Sequence, residues 1–233
     1  MMGFASARPV SSERLNSMRL LSPLEARVLA VLVEKQATVP DTYPLSLNAL
    51  VAGCNQKTAR NPVMDASDAD VLAALDGLKG LSLVFEGSGS RVVKFEHNMG
   101  RALQVPSQAV ALLTVLMLRG PQTSAELRLN SERLHRFADI SSVDGFLDEL
   151  ANKPQPMVVK LARAAGEREA RWAHLLCGDV PQPAQRAAAG AADEPSVGAG
   201  EWSALRAEQT RLAAEVAELK ALVQRMAREL GVS

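Results

Sequence analysis

Val28-Leu29-Ala30-Val31-Leu32 and Leu112-Leu113-Thr114-Val115-Leu116 are one apolar helical run written twice, about 84 residues apart. Each lies just downstream of a serine suited to capping a helix, Ser22 or Ser107. Further out, Ser46-Leu47-Asn48-Ala49-Leu50 is echoed by Ser124-Ala125-Glu126-Leu127, and Val71, Leu75 and Leu78 by Val143, Leu147 and Leu150. In each copy three helices precede two short strands. That order is the winged helix, a helix-turn-helix variant. The expected fold is therefore α+β, mostly α: two tandem winged-helix domains followed by a C-terminal coiled-coil helix.

The first helix is expected over residues 23–36, with Leu24, Val28, Val31 and Leu32 at helical spacing, and a proline-bearing connection follows over 37–45. Ser46 caps a second helix. The third begins after Ser67 with Val71, Leu72, Leu75 and Leu78 as its apolar stripe, in the recognition-helix position. Residues 81–86 and 91–96 read as a hairpin around Gly87-Ser88-Gly89-Ser90, the wing. In the second copy the opening helix is 107–119, the recognition-position helix 141–151, and the wing 157–161 with 170–176. Residues 1–20 are read as a tail, 21–104 and 105–177 as the two winged helices, and 178–200 as an Ala/Pro/Gly-rich linker too poor in apolar surface to offset its ordering entropy.

Over 201–233, Trp202, Leu205, Gln209, Leu212, Val216, Leu219, Val223, Met226 and Leu230 recur in steps of three and four. Valines at a and leucines at d favour two parallel strands, so a homodimer through this coil is expected. The same stripe also suits a helix folded back on its own body.

Only Cys54 and Cys177 occur, too few for a disulfide framework, and no signal-like or membrane-spanning apolar run stands out; a cytoplasmic protein is the expectation. Charge bears on partners. The chain carries 26 basic and 26 acidic residues, residues 22–104 hold 8 and 9, and residues 105–180 hold 9 of each. Proteins gripping duplex DNA through many phosphates usually show a concentrated basic excess.

The loop 55–64 gathers Lys57, Thr58, Arg60 and Asn61 where a helix-turn-helix approaches a phosphate backbone. Against this, its amides suit turn closure, and Arg60 suits pairing with a nearby acid such as Asp65. Arg91 and Lys94 on the first wing, and Arg163, Arg168 and Arg171 on the second, are further nucleic-acid candidates, balanced by Glu86, Glu96, Glu167 and Glu169. The recognition-position helices carry Asp68, Asp70 and Asp76, or Asp144, Asp148 and Glu149, which repel phosphates. Ala69, Ala73 and Gly77, with Asp76 beside them, instead form a small-residue face suited to a protein partner. His97, His135 and His174 are scattered, no metal-ligand spacing or phosphate loop occurs, and Cys54 reads as a buried structural thiol. No catalytic residue, metal, cofactor or small-molecule ligand is expected.

The segments Leu21-Ser22-Pro23-Leu24-Glu25-Ala26-Arg27-Val28-Leu29, Thr42-Tyr43-Pro44-Leu45-Ser46-Leu47-Asn48-Ala49-Leu50, Cys54-Asn55-Gln56-Lys57-Thr58 and Arg60-Asn61-Pro62-Val63-Met64 resemble the YceH family of bacterial proteins. The resemblance covers most of residues 15–177. It implies two winged helices in tandem and no known catalytic residue or cofactor. The expected function is a non-enzymatic, dimeric, nucleic-acid-associated or regulatory factor; the alternative is a protein-interaction module that does not touch DNA.

Overall fold

The computed structural model describes residues 19–87, 92–163 and 167–180, together with Arg211. Two compact units divide the chain, Met1–Gln185 and Arg186–Ser233; in the second, Arg211 is helical. The expected coil positions, Trp202 through Leu230, lie outside the described residues, as does Arg91. No described helix is long and apolar enough to cross a membrane.

Helix α1 (Pro23–Thr38) opens on a capping box: Glu25 N–H donates to Ser22 Oγ at 3.2 Å and Ser22 N–H to Glu25 Oε2 at 2.7 Å. Ala26 through Val33 are all buried, unlike a surface helix with a single apolar stripe. The cause is position: α1 is packed between α2 (Leu47–Cys54) and α3 (Asp68–Gly80) of its own half and α5 (Ser107–Arg119) of the second. Even Arg27 is enclosed, donating from Nη1 to Cys54 O at 3.1 Å and from Nη2 to Pro62 O at 2.7 Å.

Ser46 caps α2, and Ser67 with Asp70 closes a second capping box at α3. Strands β1 (Leu45–Ser46), β2 (Val84–Gly87) and β3 (Lys94–His97) form an antiparallel sheet in the order β1-β3-β2, with Phe95 opposite both Leu45 and Glu86. The hairpin strands are shorter than the apolar runs suggest, and β1 begins at the end of the expected 37–45 connection. Between β3 and α5 stands α4 (Met99–Leu103), which has no clear signal in the sequence; it ends on Gln104 in the left-handed region, φ 52°.

The second half repeats the order. Its opening helix α5 differs at the cap: Pro106 is the N-cap residue without a side-chain bond, and Ser107 is already helical. Thr123 and Glu126 form the capping box of α6 (Ser124–Asn130), and Asp139 caps α7 (Ile140–Ala151). Strands β4 (Val158–Lys160) and β5 (Trp172–His174) pair antiparallel, and a single bridge from Gln122 to Trp172 stands where β1 stands in the first half.

The halves share a core. Buried side chains from Leu21 to Leu176 belong to one cluster, joined where α1 lies on α5. The expected boundary between residues 104 and 105 falls between buried Leu103 and Val105. Two backbone bonds tie the halves again: Leu21 N–H to Leu176 O at 2.8 Å and Asn61 N–H to Leu118 O at 2.8 Å.

Candidate functional site

Helix α3, the β2–β3 hairpin and the start of α2 enclose an open groove of about 560 Å³. Leu47, Leu72, Val92, Val93 and Phe95 supply its apolar lining. Leu72, Val92 and Val93 stay 43%, 57% and 48% exposed, against the expectation that Leu72 faces inward with Leu75. Apolar surface left in water forgoes about 25 cal/mol per Å², and a contiguous exposed patch marks an interaction site.

The rim is acidic. Lys79 Nζ lies 2.9 Å from Asp76 Oδ1 and 2.9 Å from Glu86 Oε2, and these hydrogen bonds hold its ammonium above the usual lysine range. Two carboxylates thus share one cation. Asp68, one turn before Leu72, extends the negative edge along α3, whereas Asp70 lies on the other side of the helix, engaged by Ser67.

The same place in the second half is closed. The caps Ser46 and Thr123 align, as do Ser67 and Asp139, so Ser124 stands for Leu47 and Asp144 for Leu72. The bridges align Trp172 with Phe95. Ser124 Oγ donates to Asp144 Oδ1 at 2.5 Å and accepts from Trp172 Nε1 at 3.2 Å. The indole is 2% exposed and Lys160 Nζ sits 5.1 Å from its ring centroid.

The expected phosphate-contacting residues are not brought together. Arg60 is a correction to the surface reading: its side chain is fully enclosed, with Nη2 2.6 Å from Glu34 Oε2, Nη1 3.1 Å from Glu34 Oε1 and Nε donating to Gly53 O at 3.2 Å. The acid it meets is Glu34 on α1 rather than Asp65, because the loop folds back over that helix. Burial alone would raise the Glu34 carboxyl, but the Arg60 hydrogen bond and charge, aided by Lys35, hold it below its ordinary value. Asn55 closes the turn as expected, donating to Ala66 O at 2.9 Å and accepting from Ala66 N–H at 2.8 Å. Arg171 is engaged as well, 2.7 Å from Glu126 and 3.1 Å from Glu167. Lys57, Thr58, Asn61, Arg163 and Arg168 are exposed. Lys94 is half-buried, on the hairpin face it shares with Phe85 and Glu96, away from the groove.

Of the small-residue face, Ala69, Ala73 and Asp76 are exposed. Gly77 is covered from within: a Cβ there would run into the Glu25 carboxylate and the Arg19 guanidinium, which pair with each other. Its smallness serves the packing of α3 against the start of α1. Val92 and Val93 stand out only in the structure: they precede β3 in the chain and both line the groove.

Cys54 is buried, and burial pushes its thiol up to about 11, the reverse of an activated thiolate. His97 and His174 occupy the same position in the two hairpins, opposite Val84 and Val158. His97 Nε2 lies 2.6 Å from Gln36 Oε1. His174 Nδ1 is buried without a partner, and burial lowers its ring to about 4. Among the described residues no group of three or more His, Cys, Asp or Glu is placed to hold a metal ion.

The family described as "Protein of unknown function, DUF480" matches residues 21–167, spanning the described parts of both halves through β4. A UPF0502 protein of Burkholderia vietnamiensis is 69% identical over 218 residues, covering 93% of this chain and 92% of its own length. A UPF0502 protein of Burkholderia cenocepacia is 68% identical over 218 residues and one of Burkholderia pseudomallei 67% over 216, each with the same 93% and 92% coverage. At such identity over nearly the whole length, this chain belongs to the DUF480, or UPF0502, family.

Proposed function

We propose that this chain is a non-enzymatic tandem winged-helix protein, as its YceH-like motifs imply, that works by docking a protein partner in the α3–hairpin groove. The observation that carries this reading is the open, apolar, acid-rimmed groove of the first half beside its closed counterpart in the second. The partner that fits is a segment presenting apolar side chains flanked by Lys or Arg, complementary to Asp68, Asp76 and Glu86. A photo-crosslinking residue at position 72 of the full chain should capture such a segment in cells. A peptide of that segment should then bind the wild-type protein and lose at least roughly tenfold in affinity against Leu72→Asp. Capture of a segment lacking that character, or unchanged affinity in the variant, overturns the reading.

The nucleic-acid reading keeps one support: Lys57, Lys94, Arg163 and Arg168 make no ion pair among the described residues. Titration of labelled duplex at several salt concentrations tests it, since a logarithmic slope near zero removes phosphate contacts. The heptad positions from Trp202 to Leu230 support a homodimer, and deleting 201–233 should convert it to a monomer in light scattering.

A further inference from the structure

A second concavity, sharing no residue with the α3 groove, lies at the junction of the two halves. About 480 Å³ is enclosed between the end of α1 with the loop after α2 on one side, and the end of α5 with α6 and the following turn on the other. That volume is in the range of small-molecule sites, roughly 300–1,000 Å³, which favour such junctions.

Its charge has a sign. Lys35, Arg119 and Arg133 line it with Glu34 and Glu132, and Thr58 contributes a hydroxyl. Glu34 is already bound by the buried guanidinium of Arg60, both of its oxygens accepting from that side chain. Three cations thus line the space with two carboxylates, and Lys35, 3.4 Å from Glu34 Oε2, joins Arg60 in neutralising Glu34, which leaves Arg119 and Arg133 against Glu132. Lys35 and Arg119 stand 84 positions apart, equivalent sites in the last turns of α1 and α5, so the duplication directs one cation from each half into a single space. Arg119 and Arg133 make no side-chain hydrogen bond or ion pair among the described residues and present unused guanidinium forks, the geometry that takes phosphate oxygens two at a time.

We infer that this junction pocket binds a phosphate-bearing anion, held between Lys35 and Thr58 of the first half and Arg119 and Arg133 of the second. Three cations spread over the lining suit a ligand with more than one phosphate better than a lone carboxylate. Both free arginines are exposed, so replacing them leaves the core intact.

Calorimetric titration of the full chain with inorganic pyrophosphate at low salt should give saturable binding. Arg119→Gln combined with Arg133→Gln should weaken it roughly tenfold or more, the loss of charge-assisted hydrogen bonds, while Arg101→Gln on α4, outside the lining, leaves it unchanged. Absence of saturable binding, unchanged affinity in the double variant, or an equal loss with Arg101→Gln overturns the inference. A labelled duplex in the same solution separates the sources. Displacement by pyrophosphate, lost in the double variant, assigns the phosphate to a nucleic-acid backbone; pyrophosphate binding without displacement assigns it to a free phosphate compound.

Discussion

The first half leaves Leu72, Val92 and Val93 in an open groove, whereas the second fills the same place with Trp172 and locks it through Ser124 and Asp144. Helix order is alike in the two, and the caps differ mainly at the opening helix, so architecture does not separate them. What separates them is the chemistry of three aligned positions: Leu47, Leu72 and Phe95 against Ser124, Asp144 and Trp172. A large indole satisfied by a hydroxyl completes a surface. A leucine pair beside a smaller phenyl ring leaves one unfinished. Duplication thus leaves one half with this surface filled and the other with it open.

The strongest way to break this comparison is Trp172→Ala. Emptying a fully buried indole site should cost about 3–5 kcal/mol in chemical denaturation. A loss no larger than that from Leu72→Ala would show that the second half is not closed by its tryptophan.

Next in size is a pH effect centred on the paired histidines. His174 has a folded value of about 4, below the 6.5 of an unperturbed ring, so the unfolded chain takes up its proton first as pH falls. The associated stability is therefore complete above about pH 6.5 and declines progressively toward pH 4, by about 3 kcal/mol. His174→Phe should flatten that part of the denaturation profile; an unchanged slope between neutral pH and pH 5 would place the sensitivity elsewhere. His97, also lowered by burial but bonded to Gln36, is the internal control.

Installing the first-half residues in the second half sharpens the comparison further. Ser124→Leu with Asp144→Leu removes the acceptor of Trp172 Nε1, and an unsatisfied buried donor should cost about 1–2 kcal/mol. A more stable double variant would mean that the polar closure is not what holds the indole. The smallest effect is expected from Leu72→Asp: stability within about 0.5 kcal/mol of wild type by thermal melt, with the binding defect described above. A large destabilisation would mean that Leu72 belongs to the core after all.

Much of the fold is legible along the chain because its signals act over a single turn. Ser22 with Glu25, Ser46, and Ser67 with Asp70 mark helix starts through bonds spanning three residues, and the glycine-serine run announces the hairpin. Less of the candidate site is legible. The acidic face of α3 follows from spacing, but the groove depends on whether Val92, Val93 and Leu72 find neighbours, and α4 carries no cap strong enough to declare itself.

The amino-acid order by itself determined the repeated helical trio with its hairpin and the caps that start most of the helices. Only the tertiary structure decided that Arg60 reaches Glu34 on a distant helix instead of Asp65, that Gly77 receives the Arg19–Glu25 pair, and that one half is shut while the other is open. Capping and periodicity are set by atoms within a turn of each other. Burial and ion pairing across 26 residues depend on which helices the shared core brings face to face.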